Sequence, residues 1–295
     1  MNSLERVQAV SSKRQRCRAI YFGVDSYANG IAFGRESFEE SADPQRELRL
    51  RLPEEQQVAR LRHRYILARG SSNDEFERLL MRLSKQGILS NATIVLGTAV
   101  DPFLPFENKF EVSSRFLSLF ERYQPARLIV QTRSPLIVIA LPVLKRLAKR
   151  LIVTVPLETG DDEAMQRYVP GLPNATERLK MMRALRKFGI SVIAQVMPLL
   201  PYGDWRNDAR AFATVLENSA DFITLAPLCD GTPSLERRVR NSSIGQRLAA
   251  ERRFHWLRPD ACAPLRAQLE TLCPNKLIIP AAVPSVAEQL KFFAA

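Results

Sequence analysis

The sequence has little of what builds a thiol or metal centre. Its four cysteines, Cys17, Cys229, Cys262 and Cys273, are scattered, with no CxxC, CxxxC or Cys/His cluster. That spacing argues against both a disulfide scaffold and a zinc site. Only two histidines are present, His63 and His255, and neither has an H-x-x-x-H or H-E-x-x-H partner. No apolar run reaches the roughly 18 residues of a membrane-spanning helix, and the first residues lack the apolar core of a secretion signal. A cytoplasmic protein without a membrane partner is the expectation. Acidic residues are also short: 31 Asp and Glu face 43 Lys and Arg, a formal charge of +12. Such a balance points to an anionic partner, with nucleic acid ahead of an acidic membrane surface. A solvated Arg-rich surface carries the same charge without any ligand.

What is present is a regular pattern. The 295 residues are 46 % hydrophobic, enough for one large core. From residue 91 onward strands alternate with helices. The strands are expected at 92–96, 127–131, 151–155, 191–196 and 221–225, and the helices at 109–122, 136–150, 174–188 and 205–218. Asn174 and Glu177 have the spacing of a capping box, and Gly87 and Gly189 sit where helices would close. Before this run, 18–22 is a short strand candidate, 23–35 a Gly-punctuated loop, 47–52 an alternating strand, and 54–68 and 73–85 are helices. After residue 229 the pattern is less regular, with two short helices expected near the end. Repeated β-α units with apolar strands imply a parallel sheet covered by helices, either doubly wound or a barrel. In both, ligands bind at the C-terminal ends of the strands.

One strand end stands out. Residues 97–107 read Gly-Thr-Ala-Val-Asp-Pro-Phe-Leu-Pro-Phe-Glu, placing Asp101 and Glu107 on a loop stiffened by Pro102 and Pro105. This has the look of an active-site rim. A plainer description is a strand, a Pro-rich turn and a helix whose first turn carries acids suited to its dipole.

At these strand ends the chain resembles the radical SAM superfamily, in the branch related to spore photoproduct lyase and called DNA repair photolyase-like. Residues 97–107 resemble that family's G-T-x-T-D-P-Y-Q-P-x-E. Gln131 to Leu136 (Q-T-R-S-P-L) resembles its segment after the third strand, and 153–163 (V-T-V-P-L-E-T-G-D-D-E) its V-x-V-S-I-E-T-D-x-E. Arg178, Leu179, Gly189, Ile190, Pro198 and Pro201 match its R-L, G-I and P-x-x-P positions. The resemblance spans residues 18–225. It implies an α/β fold, a partial (βα)6 TIM-type barrel of parallel strands over 18–228. A flexible basic arm at 1–17 and a short C-terminal extension at 229–295, packed on the barrel, complete the expected organisation.

The family also implies a [4Fe-4S] cluster held by CxxxCxxC, with S-adenosylmethionine on the unique iron. Here the three cysteine positions fall on Val24, Ala28 and Ile31. The cluster is therefore expected to be absent and no cofactor is expected, with S-adenosylmethionine remaining possible. By resemblance, Thr98, Asp101, Glu158 and Thr159 are the cofactor-binding candidates. Other losses run the same way: the family's Arg-Asp becomes Ile139-Ala140, and its fourth-strand Ser becomes Pro156.

Arg133 lies at the same rim, suited to a phosphate or to an ion pair with Asp101 or Glu158. For nucleic acid the candidates are Arg133, Arg237, Arg238, Arg240, Arg252, Arg253 and Trp256, basic residues with aromatic interleaving. A solvated helix face describes the same arginines. Gln289, Leu290, Phe292 and Phe293 resemble the short Q-L-x-[LF]-F peptide that docks on bacterial sliding clamps, although Val286, Leu290 and Phe293 also fit one face of a docking helix. The function expected is a cluster-less, non-catalytic relative of the photolyase-like enzymes, binding nucleic acid or a partner in DNA repair or DNA metabolism. The alternative is a working lyase or another S-adenosylmethionine-dependent enzyme at the retained strand ends. A third possibility is an inactive subunit supporting an active radical SAM paralogue.

Overall fold

The structure, a computed structural model, describes residues 18–25, 30–34, 66–67, 72–97, 101–103 and 112–278. The strands are β1 (Arg18–Asp25), β2 (Gly30–Gly34), β3 (Ile66–Leu67), β4 (Ala92–Leu96), β5 (Arg127–Gln131), β6 (Leu151–Pro156), β7 (Ser191–Val196), β8 (Phe222–Leu225) and β9 (Leu277–Ile278). They form one sheet in the order β3-β2-β1-β4-β5-β6-β7-β8-β9. Every pairing from β1·β4 through β8·β9 is parallel, and the two outer pairings, β1·β2 and β2·β3, are antiparallel. The described helices are α1 (Ser72–Lys85), α2 (Val112–Arg122), α3 (Leu141–Leu147), α4 (Asp162–Tyr168), α5 (Ala175–Lys187), α6 (Ala209–Ser219), α7 (Pro233–Arg240), α8 (Ser243–Ala250) and α9 (Ala263–Leu272). This is the expected α/β fold, a run of parallel βα units curved as a partial, unclosed barrel. No helix among the described residues is long and apolar enough to cross a membrane.

Alternation along the strands makes two different faces. Ile94, Leu128, Val130, Val153, Val155, Val192, Ala194, Val196 and Ile223 are at most 1 % exposed and pack under the helices. Their in-between neighbours, Gln131, Thr154, Ile193, Gln195 and Thr224 among them, are half-buried. The opposite face is thus a trough with polar side chains in its wall, not a second apolar core. Strand β4 differs: Val95 is buried as well, and only Thr93 is half-buried.

Helix ends follow local chemistry. The Asn174 side chain accepts from the Glu177 N–H at 2.7 Å, as a capping box predicts. Gly87 and Gly189 close α1 and α5 at φ of +66° and +78°. At the end of α8 the same job falls to Arg252, at φ +56°. Its N–H reaches the Ala249 carbonyl at 3.0 Å and that of Arg253 reaches Leu248 at 2.8 Å, a Schellman closure.

Several expectations are corrected. Within the loop expected at 23–35, residues 23–25 and 30–34 are strand: β1 runs on to Asp25 and pairs with β2, with Val24 directly opposite Ile31. The connecting residues 26–29 lie outside the described residues. The helix expected at 136–150 is a 3-10 turn, Pro135–Ala140, followed by α3. Pro142 has no N–H to carry an α ladder through the junction. The helix expected from Trp205 starts at Ala209, because Asp204 and Asp208 fold 204–208 into side-chain-bonded turns. Of the helix expected at 54–68, Ile66 and Leu67 belong to β3, and 54–65 lie outside the described residues, as does the strand expected at 47–52. Among the described residues the tail holds three α-helices and contributes β9 to the sheet; two short helices were expected near its end, where 279–295 lie outside the described residues.

Replacing Arg252 by Gly relieves the left-handed backbone. It should stabilise the protein by about 1 kcal/mol, read as a rise of about 2 °C in melting temperature.

Candidate functional site at the strand ends

The ends of β4, β5 and β6 are tied by side chains. Gly97 leaves β4 at φ +94°, and a Cβ there would sit 2.2 Å from the Gln131 carbonyl oxygen, so only glycine lets the chain turn this close to β5. Asp101 follows. Its Oδ1 accepts from the Thr132 hydroxyl at 2.6 Å and the Phe103 N–H at 2.9 Å, and its Oδ2 from the Arg133 N–H at 2.7 Å. The acid therefore serves as a splice between the β4 and β5 loops. The hydroxyl of Ser113, on α2, donates to the Pro102 carbonyl and holds the same loop from the other side.

Arg133 turns its guanidinium to the next strand end. Its Nε and Nη2 lie 3.3 and 3.1 Å from Glu158 Oε1. Arg178, on α5, donates from Nη1 to Glu158 Oε2 at 2.7 Å and to the Pro156 carbonyl at 2.8 Å, and from Nε to the Pro173 carbonyl at 2.9 Å. Side chains of Glu158 and Arg178 are fully buried and that of Arg133 is 11 % exposed. Thr159 is buried too. Its hydroxyl donates to the Pro201 carbonyl at 2.6 Å and accepts from the Asp161 N–H at 3.1 Å. Backbone bonds carry the rim onward, from Leu200 N–H to the Glu158 carbonyl and from Leu199 N–H to that of Ala226, both at 2.8 Å.

Of the cofactor-binding candidates, Asp101, Glu158 and Thr159 are thus brought together, each already engaged by protein groups. Thr98 lies outside the described residues. A ribose hydroxyl could reach Glu158 only by displacing an arginine from a buried carboxylate. The cluster fits no better: Val24, Ala28 and Ile31 offer no ligating atom. Cys229, Cys262 and Cys273 are buried on separate segments, and burial pushes the Cys262 thiol up to about 12. Among the described residues no group of three potential ligands could hold a metal ion.

The nucleic-acid candidates are divided. Arg133 belongs to the rim. Arg237, Arg238 and Arg240 are exposed on α7, whose Leu235 and Val239 face the core; Arg240 sits 3.7 Å from Glu236. Arg252 closes α8, and Arg253 lies 3.6 Å from Glu251. Trp256 is 1 % exposed and packs edge-on against Tyr202 at 4.9 Å, so its ring presents no face to a ligand. Of the aromatics nearby, Phe254 is exposed and His255 and Trp205 are half-buried. The clamp-like residues Gln289, Leu290, Phe292 and Phe293 lie outside the described residues.

Sequence reading placed Arg133 at the rim and left its partner open between Asp101 and Glu158. Its guanidinium goes to Glu158 and its backbone to Asp101. The role of Arg178 was missed. The signal for it was there, because Ala175, Arg178, Met182 and Leu185 form the buried stripe of α5, and a cation on such a stripe calls for a buried anion.

No family model matches the chain, and no curated protein matches it. Among solved structures it is similar to the radical S-adenosylmethionine methyltransferase TsrM from Kitasatospora setae, determined with a tryptophan substrate and a SAM analogue bound. The TM-score is 0.42 and the identity 16 %, over 72 % of this chain and 49 % of that one. The chain spans about half the length of that enzyme.

Removing the Arg178 charge should be costly. Arg178→Met leaves Glu158 buried with one cation fewer, and a loss of about 3–5 kcal/mol is expected in urea unfolding. The double variant Arg178→Met/Glu158→Gln should recover at least 1 kcal/mol of that, which a double-mutant cycle measures.

Proposed function

We propose that this chain is a radical SAM-like barrel, related to the photolyase-like branch, that has lost cluster chemistry and acts as a non-catalytic nucleic-acid-binding protein in DNA repair or DNA metabolism. The observation that carries this reading is the state of the rim. Asp101, Glu158 and Thr159, the groups that would serve a cofactor, all hold protein partners instead, and the three cluster positions carry no thiol. What is left for a ligand is positive charge, in the net +12 of the chain and in the exposed arginines of α7. In the same reading the peptide at 289–293 tethers the protein to a sliding clamp, and an active radical SAM paralogue is a further partner for the rim.

Nucleic-acid binding should weaken steeply with salt. Combined Arg237→Ala, Arg238→Ala and Arg240→Ala should lower the log-log salt slope by up to about three, measured by fluorescence anisotropy with labelled oligonucleotides. Anaerobic reconstitution with iron and sulfide should give no stoichiometric [4Fe-4S] absorption. Appearance of that spectrum, or the absence of any oligonucleotide binding, would overturn the proposal.

One observation favours a second reading, a DNA-repair-type lyase or another S-adenosylmethionine-dependent enzyme. Gln195 Oε1 and Thr224 Oγ1, neighbours across β7 and β8, are buried in the trough with no hydrogen-bond partner among the described residues. Unpaired buried acceptors of this kind suit a bound molecule. Calorimetric titration with S-adenosylmethionine decides: binding that is abolished by Asp101→Ala supports the enzyme, and no binding removes it.

A further inference from the structure

The chain leaving β7 turns sharply at Gly203, at φ +112°. It then enters α6 through a turn in which Asp204 Oδ1 accepts from the N–H groups of Arg206 at 3.0 Å and Asn207 at 2.7 Å. This fixes the Trp205 indole. Its Nε1 donates to the Ala261 carbonyl at 2.8 Å, and its ring lies 5.3 Å from that of His255, tilted by 37°. Behind His255 runs a row of rings, Trp256 at 5.4 Å, then Tyr202 and Phe212, which anchors the imidazole to the core. The Arg206 guanidinium lies over the Trp205 ring, 5.5 Å from its centre, is exposed and makes no ion pair among the described residues. Arg253, 3.6 Å from Glu251, also lines the space.

Together these groups enclose a pocket of about 410 Å³. Small-molecule sites span roughly 300–1,000 Å³, so the space suits a single nucleotide. Its composition is as telling as its size. The half-buried Trp205 and His255 rings offer stacking surface once the exposed Arg206 guanidinium swings off the Trp205 face, and Arg206 and Arg253 then flank them for an adjoining phosphate. Backbone amides hold the Asp204 carboxylate in its charged form, so the phosphate is expected on the Arg206 and Arg253 side of the pocket and away from Asp204. Burial, followed by the charge of Arg253, pushes the His255 pKa down against the opposing charge of Asp204, which favours the uncharged ring. The loop also follows the end of a parallel strand, the side on which such sheets bind ligands.

We infer that this pocket receives one unstacked base of a single-stranded nucleic acid, seated against Trp205 and His255, with Arg206 and Arg253 on the neighbouring phosphates. The inference rests on the nucleic-acid reading above and gives it a location and a strand type. A base inside a duplex could not enter without leaving its stack.

The test uses the full-length protein and an oligothymidylate of about 20 nucleotides, with a duplex of equal length as the second probe. Of the two tryptophans, Trp256 is 1 % exposed and Trp205 half-buried, so binding should quench the emission of Trp205. Trp205→Ala should weaken binding of the single strand about tenfold or more, and Trp205→Phe should restore most of it. Arg206→Ala touches only an exposed side chain. It should keep the melting temperature and lower the salt slope by about one. The pocket is overturned, and the nucleic-acid reading kept, if oligonucleotides bind without quenching, if these variants bind like the wild type while the α7 arginine variants do not, or if the duplex binds as tightly as the single strand. No binding of either probe overturns both.

Discussion

A carboxylate with no exposure to water sets the terms for the strand-end face. Taking Glu158 out of solvent costs several kcal/mol, and only close, well-directed cations offset that. Arg178 supplies one from helix α5 and Arg133 another from the loop after β5. Helix α5, the end of β6 and the end of β5 are therefore held to one arrangement, since any slip would strand a buried charge. Asp101 extends the constraint to β4 through three hydrogen bonds. Such a network contributes more to uniqueness than to net stability, because a well-packed apolar substitute would be about as stable. It turns groups that resemble a reactive rim into the frame of one.

The two sheet faces divide the remaining work. Apolar residues under the helices supply the burial energy, each fully buried Val, Leu or Ile contributing roughly 1.5–3 kcal/mol. The trough face keeps Gln131, Thr154, Gln195 and Thr224 partly open. The C-terminal segment joins this frame at several points: β9 pairs with β8, and Lys276 donates to the carbonyls of Glu217 and Ala220 at 2.7 and 3.2 Å. Tyr202, Trp256 and Phe212 form an aromatic seam between it and the loop after β7.

The central βα units were legible because their strands are short β-branched runs and their helices carry explicit stop signals at Gly87 and Gly189. Three of the five strands expected after residue 91 have the expected bounds, and the other two differ by one residue. Where reading failed, a local interaction outweighed the pattern. Pro142 divided one helix, the Asp204 and Asp208 side chains delayed another, and the pairing of β1 with β2 took up residues expected in a Gly-punctuated loop. At the site, the acids and Arg133 were found by their strand-end positions. Their pairing was not, because which cation meets which carboxylate is decided by α5 swinging Arg178 in from 20 residues away. Trp205 and His255, 50 residues apart in sequence, meet only once the tail has folded back.

The hairpin at β1 has a topological meaning. In a closed barrel of parallel strands the first and last strands hydrogen-bond to each other, which requires both to keep a free edge. Here β1 has β4 on one side and β2 on the other. The seam that closure would need is taken by an antiparallel ladder in which Val24 faces Ile31. One antiparallel pairing thus keeps the first parallel strand from meeting the last, and the described strands make an open sheet with β3 and β9 at its ends in place of a closed ring.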